Sequence, residues 1–180
     1  MYIFTVPDLA SCRCRPLSSN VRPHTKTSSP RTMQVAAYEP ADAPELVNMW
    51  RASFEFGVGI TDPNPIQDQL NFFLNEVVPQ SEVTVVKDEG VIVGFLASLP
   101  ESVCHLYVRV QNIGQGIGSH LLGLAKAKSA GSLWLYTFAQ NTNARRFYER
   151  HGFTEVERES ENMYKLEAIK YKWQRSASEA

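Results

Sequence analysis

Cysteine is scarce in this sequence: three in 180 residues, with Cys12 and Cys14 close together and Cys104 far away. That spacing excludes a disulfide framework and the paired ligands of a zinc site. His24, His120 and His151 stand at no metal-ligand spacing with cysteines or carboxylates, so no metal is expected. Long apolar runs are also missing. No stretch reaches the roughly 18 residues of a membrane span, and MYIFTVPDLASCRCRP has no basic residue ahead of its short apolar piece, which argues against a secretory signal. A cytoplasmic protein with no membrane partner is expected. An excess of one charge sign is lacking as well, since the formal net charge is −1. With 43% hydrophobic and 21% charged residues, the chain is no disordered polymer and can bury a sizeable core.

What charge asymmetry exists lies at one end. Residues 1–32 are rich in Ser, Thr, Pro and Arg, and set Arg13, Arg15, Arg22, Lys26 and Arg31 against Asp8 alone. This composition reads as a disordered basic leader, dispensable or an over-extended start, with Met33 as the natural beginning; a transit peptide or basic arm is the other reading. The remainder is acidic, so no nucleic-acid partner is expected. A single domain is expected over 33–175, followed by a short tail over 176–180.

From Met33 the pattern is orderly. MQVAAY reads as a strand. Asp42 as cap and Pro44 in the first turn open a helix whose face is Leu46, Val47, Trp50 and Phe54. The loop FGVGITDPNP ends at Pro65, which starts a second helix with Ile66, Leu70, Phe73, Leu74 and Val77 on one side. EVTVVKD and GVIVGFLASL, separated only by Glu89 and Gly90, read as a hairpin, and SVCHLYVRV adds a third strand to an antiparallel meander. A helix over about 116–130, the strand SLWLYTF, a helix over about 142–151 and closing strands around FTEVERE and AIKYKW complete the order β-α-α-β-β-β-α-β-α-β-β. The fold class is α+β, mixed.

Between the third meander strand and the next helix lies NIGQGIGSHLL. Gly114, Gly116 and Gly118 allow positive φ and close approach to the peptide plane, and the helix start turns unpaired N–H groups outward. Such a bend attracts phosphate. The P-loop needs a Lys before Ser or Thr after its last glycine, and Ser119-His120 does not supply it. The dinucleotide fingerprint needs GxGxxG after the first strand of a parallel unit, and GxGxG after an antiparallel meander is not that. A tight turn serving packing alone is the bland alternative.

Further on comes NTNARRFYERHGF, residues 141–153. Together the two stretches resemble the GNAT superfamily of N-acetyltransferases, whose core motif is a strand ending in Val followed by Q/R-x-x-G-x-G/A. Its later motif is an Asn, an Ala three residues on, an aromatic-Tyr pair and a Gly-Phe. LYV, GQGIG, Asn141, Ala144, Phe147-Tyr148 and Gly152-Phe153 match, over a resemblance that runs from about Met33 to Trp173. One departure stands out: Ile113 occupies the Q/R position and Gln111 lies two residues early. The family's pyrophosphate contacts are mostly backbone amides, so a weakened rather than abolished site is implied.

The resemblance implies a GNAT-type fold: a central, mostly antiparallel twisted sheet of about seven strands, flanked by about four helices, with the fourth and fifth strands splayed. It implies acetyl-CoA as co-substrate. The backbone of Leu106, Tyr107 and Val108 would bond the pantetheine as a surrogate strand, and Gly114, Gln115, Gly116, Ile117, Gly118 and Ser119 would hold the pyrophosphate. Ile117, Leu121, Leu122 and Ala125 form that helix's core face. Asn141 reads equally as a helix cap and as a CoA contact.

Tyr148 is the candidate general acid, because a departing CoA thiolate must take a proton and a phenol can supply it. Asn141, Ala144 and Tyr148 share one helix face; a half-buried aromatic is the alternative reading. For the base, WLYTFAQ offers Tyr136 but no carboxylate, which argues mildly against protein N-termini as acceptors. Glu101, His105, Glu55 and Asp62 are the candidates, as is a proton wire through water. Phe54, Phe56 and Phe153 suggest a partly apolar acceptor pocket. A small amine or amino-acid-like acceptor is the first expectation, with protein N-termini or lysines second. A non-catalytic acyl-CoA sensor is the reading of another class. A homodimer is expected through an exposed terminal strand such as AIKYKW.

Overall fold

A computed structural model of the chain describes residues 33–160 and 162–176. The leader expected over 1–32, and all but the first residue of the expected tail, lie outside the described residues. The strands are β1 Met33–Ala37, β2 Glu82–Asp88, β3 Val91–Leu99, β4 Ser102–Val108, β5 Ser132–Phe138, β6 Thr154–Glu159 and β7 Ala168–Gln174. They form one sheet in the order β1-β2-β3-β4-β5-β7-β6, antiparallel throughout except where β4 meets β5. The helices are α1 Ala43–Val58, α2 Ile66–Phe72, the single turn α3 Val78–Gln80, α4 Ile117–Lys128 and α5 Thr142–Arg150. The sequence order of elements and the mixed α+β class are therefore as expected.

The β2–β3 hairpin closes as its two-residue turn dictates. Asp88 faces Val91, and Glu89 and Gly90 both adopt positive φ, 51° and 83°, the turn whose twist matches paired strands. β3 is buried over Ile92–Ser98 because helices cover both its faces. On one side, α1 supplies Leu46, Val47, Trp50 and Phe54, together with Phe73 and Val77 from the following helix. On the other, α4 supplies Ile117, Leu121, Leu122 and Ala125, all buried as expected, and α5 supplies Tyr148. Each fully buried leucine contributes roughly 1.5–3 kcal/mol.

Three expectations about individual residues need correction. Asp42 does not cap α1 with its side chain; it accepts from the Glu39 amide at 3.1 Å and ion-pairs with Lys87 at 2.7 Å, fastening α1 to β2. The second helix does not keep one regular face. A π-helical stretch, Phe73–Val77, inserts a wider turn; Phe73 and Val77 stay buried while Ile66 and Leu74 are exposed. Finally, AIKYKW is not an exposed strand: β7 lies between β5 and β6, and the sheet edges are β1 and β6. β7 is closed to pairing across a two-fold axis.

Gly94 marks where β3 and α4 touch. A Cβ there would sit 2.9 Å from Ile117 Cγ2 and 3.2 Å from the Tyr107 carbonyl oxygen. Gly94→Ala is expected to lower unfolding stability by about 1–3 kcal/mol through overpacking, read from urea titration.

Candidate active site

β4 and β5 share a single bridge, Ser102 opposite Trp134, backed by the Trp134 amide donating to the Glu101 carbonyl at 3.0 Å. Beyond it they diverge. A bulge in β4 around Cys104, where Ala97 pairs with His105 and Ser98 with Val103, turns that strand away. The result is a cleft of about 1590 Å³ whose walls come from both halves of the sheet.

Leu106, Tyr107 and Val108 line the cleft on the open side of β4. Their other side is occupied by β3, through the register Leu96–Leu106, Phe95–Tyr107 and Gly94–Val108. At the end of β4 the chain turns through a short 3-10 segment, Val110–Asn112, into the glycine bend. Gly114 and Gly116 have φ of 84° and 83°, and an added Cβ at either would meet nothing within 4 Å. They are glycines for backbone conformation, and the space over the bend is open. The first bond of α4 is His120 N–H to Gly116 O at 3.0 Å, so the amides of Ile117, Gly118 and Ser119 precede the helical ladder. Gly118 serves closeness instead: its Cβ position is 3.3 Å from the Phe147 ring, which brings α5 against α4.

Every expected site residue but one lines this cleft. Gln115 is the exception among them; its side chain accepts from Asn112 at 3.2 Å and donates to the Gln111 carbonyl at 3.4 Å. Ile113, in the departing position, is 53% exposed at the cleft edge. Asn141 caps α5, accepting from the Ala144 amide at 3.1 Å, and also faces the cleft.

Tyr148 projects from α5 into the divergence, 7% exposed, packed edge-on to Phe147 and Phe153. Burial, and secondarily the neighbouring Tyr107 phenol, push its pKa well above the ordinary tyrosine value. It stays protonated, as a hydrogen donor must.

The base candidates separate. Glu101 and His105 line the cleft; Glu55 and Asp62 do not. Asp62 accepts from the Tyr164 hydroxyl at 2.8 Å and from Asn64, and lies 3.6 Å from Arg51, while its own amide donates to Glu55 Oε1 at 3.0 Å. Both carboxylates are therefore scaffold for the α1–α2 loop. His105 lies among Trp50, Phe95 and Tyr107, and burial lowers its pKa to about 4. Phe54 and Phe56 line the cleft as expected, but Phe153 sits in the core beside Trp173, 2% exposed, and is no part of the acceptor pocket.

Several residues in and around the cleft were not anticipated. Outside its lining, His151 donates from Nδ1 to the Phe147 carbonyl at 2.7 Å, and its Nε2 lies 3.0 Å from the Ser119 hydroxyl, which ties the glycine bend to α5. Arg146 and Arg150, at i and i+4 on α5, line the cleft, as do Trp134, Glu157, Glu159 and Lys170. Alternation along β5 was the available signal for Trp134, since Trp134, Tyr136 and Phe138 fall on one face.

Among the described residues, no helix is long and apolar enough to cross a membrane and no group of His, Cys, Asp and Glu is placed to hold a metal. The family model described as an acetyltransferase (GNAT) domain matches residues 79–155, from the start of the meander through α5. Over that stretch the chain is similar to the GNAT acetyltransferase family. Solved structures of the superfamily share its architecture at low identity. YjaB from Escherichia coli in its apo form superposes with a TM-score of 0.67 at 17% identity, covering 81% of this chain and 99% of the other. The PaiA N-acetyltransferase from Thermoplasma acidophilum in complex with coenzyme A gives 0.60 at 16%, covering 79% and 99%. YncA, a putative acetyltransferase from Salmonella typhimurium with acetyl-CoA, gives 0.57 at 17%, covering 82% and 96%. No curated protein matches the sequence.

His105 also makes the fold's stability pH-dependent. Its folded pKa lies below the unfolded value of 6.5, so its contribution is whole above pH 6.5 and is lost as pH falls toward about 4. Acidification through that window is expected to remove on the order of 3 kcal/mol at most. Unfolding free energies measured between pH 7 and 4 check this, and His105→Phe should flatten the slope.

Proposed function

We propose that this chain is an acetyl-CoA-dependent N-acetyltransferase acting on the primary amine of a small molecule. The observation that carries the reading is the unpaired side of β4 opening onto the same cleft as the unfilled glycine bend and Tyr148. The site fits acetyl-CoA by this structure's own features: open space over Gly114 and Gly116, three helix-start amides, and a strand edge for an extended amide-bearing arm. Leu106, Tyr107 and Val108 hold that arm. The bend from Gly114 to Ser119 holds the pyrophosphate, with Gln115 contributing through its backbone alone. Asn141 holds the start of α5, and Tyr148 with it, against the cleft.

In the reaction, the neutral amine attacks the thioester carbon, the C–S bond breaks, and the Tyr148 hydroxyl donates its proton to the departing sulfur. The amine's surplus proton leaves through water, with Glu101 as the carboxylate nearest the strand junction. His105, held neutral and tightly stacked, orders the wall instead. Protein N-termini or lysines are the second class of acceptor. The chain functions in this reading as a cytoplasmic enzyme.

Tyr148→Phe is expected to lower kcat by about 10²-fold or more. Acetyl-CoA affinity should stay within about fivefold, since one hydrogen bond is removed. Thiol release with an amine panel measures the first and calorimetric titration the second; unchanged kcat would remove the acid role. A second outcome follows from the raised phenol pKa: activity should climb with pH as the amine deprotonates, with no Tyr148-linked decline up to about pH 10. Tight acetyl-CoA binding with no acceptor-dependent thiol release would instead identify a sensor.

A further inference from the structure

The cleft is electrostatically divided. Arg146 and Arg150 line it from α5, the helix that carries Tyr148. Its other end is built on the face of β5, β7 and β6 that points away from α4. There the register aligns Tyr136, Lys170 and Glu157 in one row and Phe138, Ala168 and Glu159 in the next. Glu76 lines the cleft from the π-helical stretch on the facing wall, and Glu101 from the strand junction. Among the described residues of β5, β6 and β7 that line the cleft, the one cation facing these four carboxylates is Lys170.

Lys170 shows what this surface accommodates. Its ammonium lies 5.4 Å above the Trp134 ring and 5.5 Å above the Tyr136 ring, and 3.5 Å from Glu157. The aromatic floor, half-exposed at Tyr136 (37%), thus receives a positive nitrogen on its faces, with a carboxylate closing the pair. Glu101 and Glu159 have no ion-pair partner among the described residues.

We infer that the acceptor is a small aliphatic dication: an amine to be acetylated, joined by a short methylene chain to a second positively charged nitrogen. This rests on the proposed function of the same cleft and narrows it. The methylenes lie along Trp134, Tyr136 and Phe138, and the second nitrogen takes the carboxylate end. An amino-acid acceptor is disfavoured, because its carboxylate would enter a space already negative on three sides. The second charge also helps the reaction. A like charge nearby lowers the pKa of the attacking amine and raises its neutral fraction.

The test is calorimetric titration of the CoA-saturated full chain with three probes of equal chain length: 1,4-diaminobutane, n-butylamine and 4-aminobutyrate. The diamine is expected to bind about tenfold more tightly than the monoamine, the scale of a few part-screened charge contacts, and the amino acid most weakly. The preference should narrow in Glu157→Gln/Glu159→Gln. Should that variant fail to fold, the wild-type preference must still shrink when salt is raised to about 0.5 M. Equal affinity for diamine and monoamine, or tighter binding of the amino acid, overturns the inference. Thiol release from acetyl-CoA with the same panel separates the two readings. Diamine preference in binding without thiol release removes the acetyltransferase reading alone, and thiol release without diamine preference removes this inference alone.

Discussion

β4 and β5 meet at Ser102 and Trp134 and then part, and the peptide groups beyond that bridge must find partners elsewhere. Inside a sheet this is a costly arrangement, since each unpaired buried group forfeits about 1–3 kcal/mol. The chain tolerates it because the gap opens to solvent as a cleft and because both half-sheets are stabilised independently. β3 clamps β4 on one side from Gly94–Val108 to Leu99–Ser102, with the bulge at Cys104 between. β7 clamps β5 on the other over all seven residues, Ser132–Gln174 to Phe138–Ala168. The divergence is thereby held rather than floppy, and it leaves a strand edge preformed for an extended partner.

The two walls of that gap are also tied across its rim. Gln140 donates to the Val58 carbonyl at 2.6 Å, joining the end of α1 to the loop before α5. Gly57 lies so close to Asn141 that an added Cβ would sit 2.7 Å from its Nδ2. On the opposite rim, Ser119 and His151 join the bend to the end of α5, and Gly118 lets Phe147 pack on α4. Helix α5 is therefore referenced both to the acceptor wall and to the phosphate bend. A shift of either wall would move Tyr148, which would place the proposed chemistry and the proposed cofactor binding under one set of packing constraints.

Much of this was legible in the sequence because it is local. The turn at Glu89-Gly90, the glycine bend, the apolar face of α4 and the Asn-Ala-Tyr spacing of α5 depend on residues within a few positions of each other, where backbone conformation and helical period decide. What escaped depends on pairing between distant segments. Nothing in AIKYKW reveals that the last strand in sequence slots between β5 and β6, and without that register the row Tyr136, Lys170, Glu157 has no meaning. The same applies to Asp42, whose short-range role as a cap lost to a cross-element ion pair with Lys87. Phe153 was read as pocket on composition, yet the turn at Gly152, φ 80°, carries it into the core against Trp173. The π-helical stretch left no trace in the apolar spacing, since Ile66, Leu70 and Leu74 look like a regular stripe until the wider turn rotates them.

The burial of Tyr148 raises a question for the acid role proposed for it, because desolvation makes a phenol hold its proton more tightly. The same desolvation acts on the group it serves. A thiolate leaving inside the cleft is also an anion removed from water, and its proton affinity rises for the same cause. What governs transfer is the difference between donor and acceptor, and shared burial shifts both in one direction. Exposure would have lowered the phenol's pKa and left it partly ionised at high pH, where it would repel a departing thiolate. A phenol kept neutral beside Phe147 and Phe153 remains a donor throughout, and its hydrogen bond to a growing negative charge is stronger in low dielectric than in water. Burial therefore suits Tyr148 to stabilise the leaving sulfur even before the proton has moved.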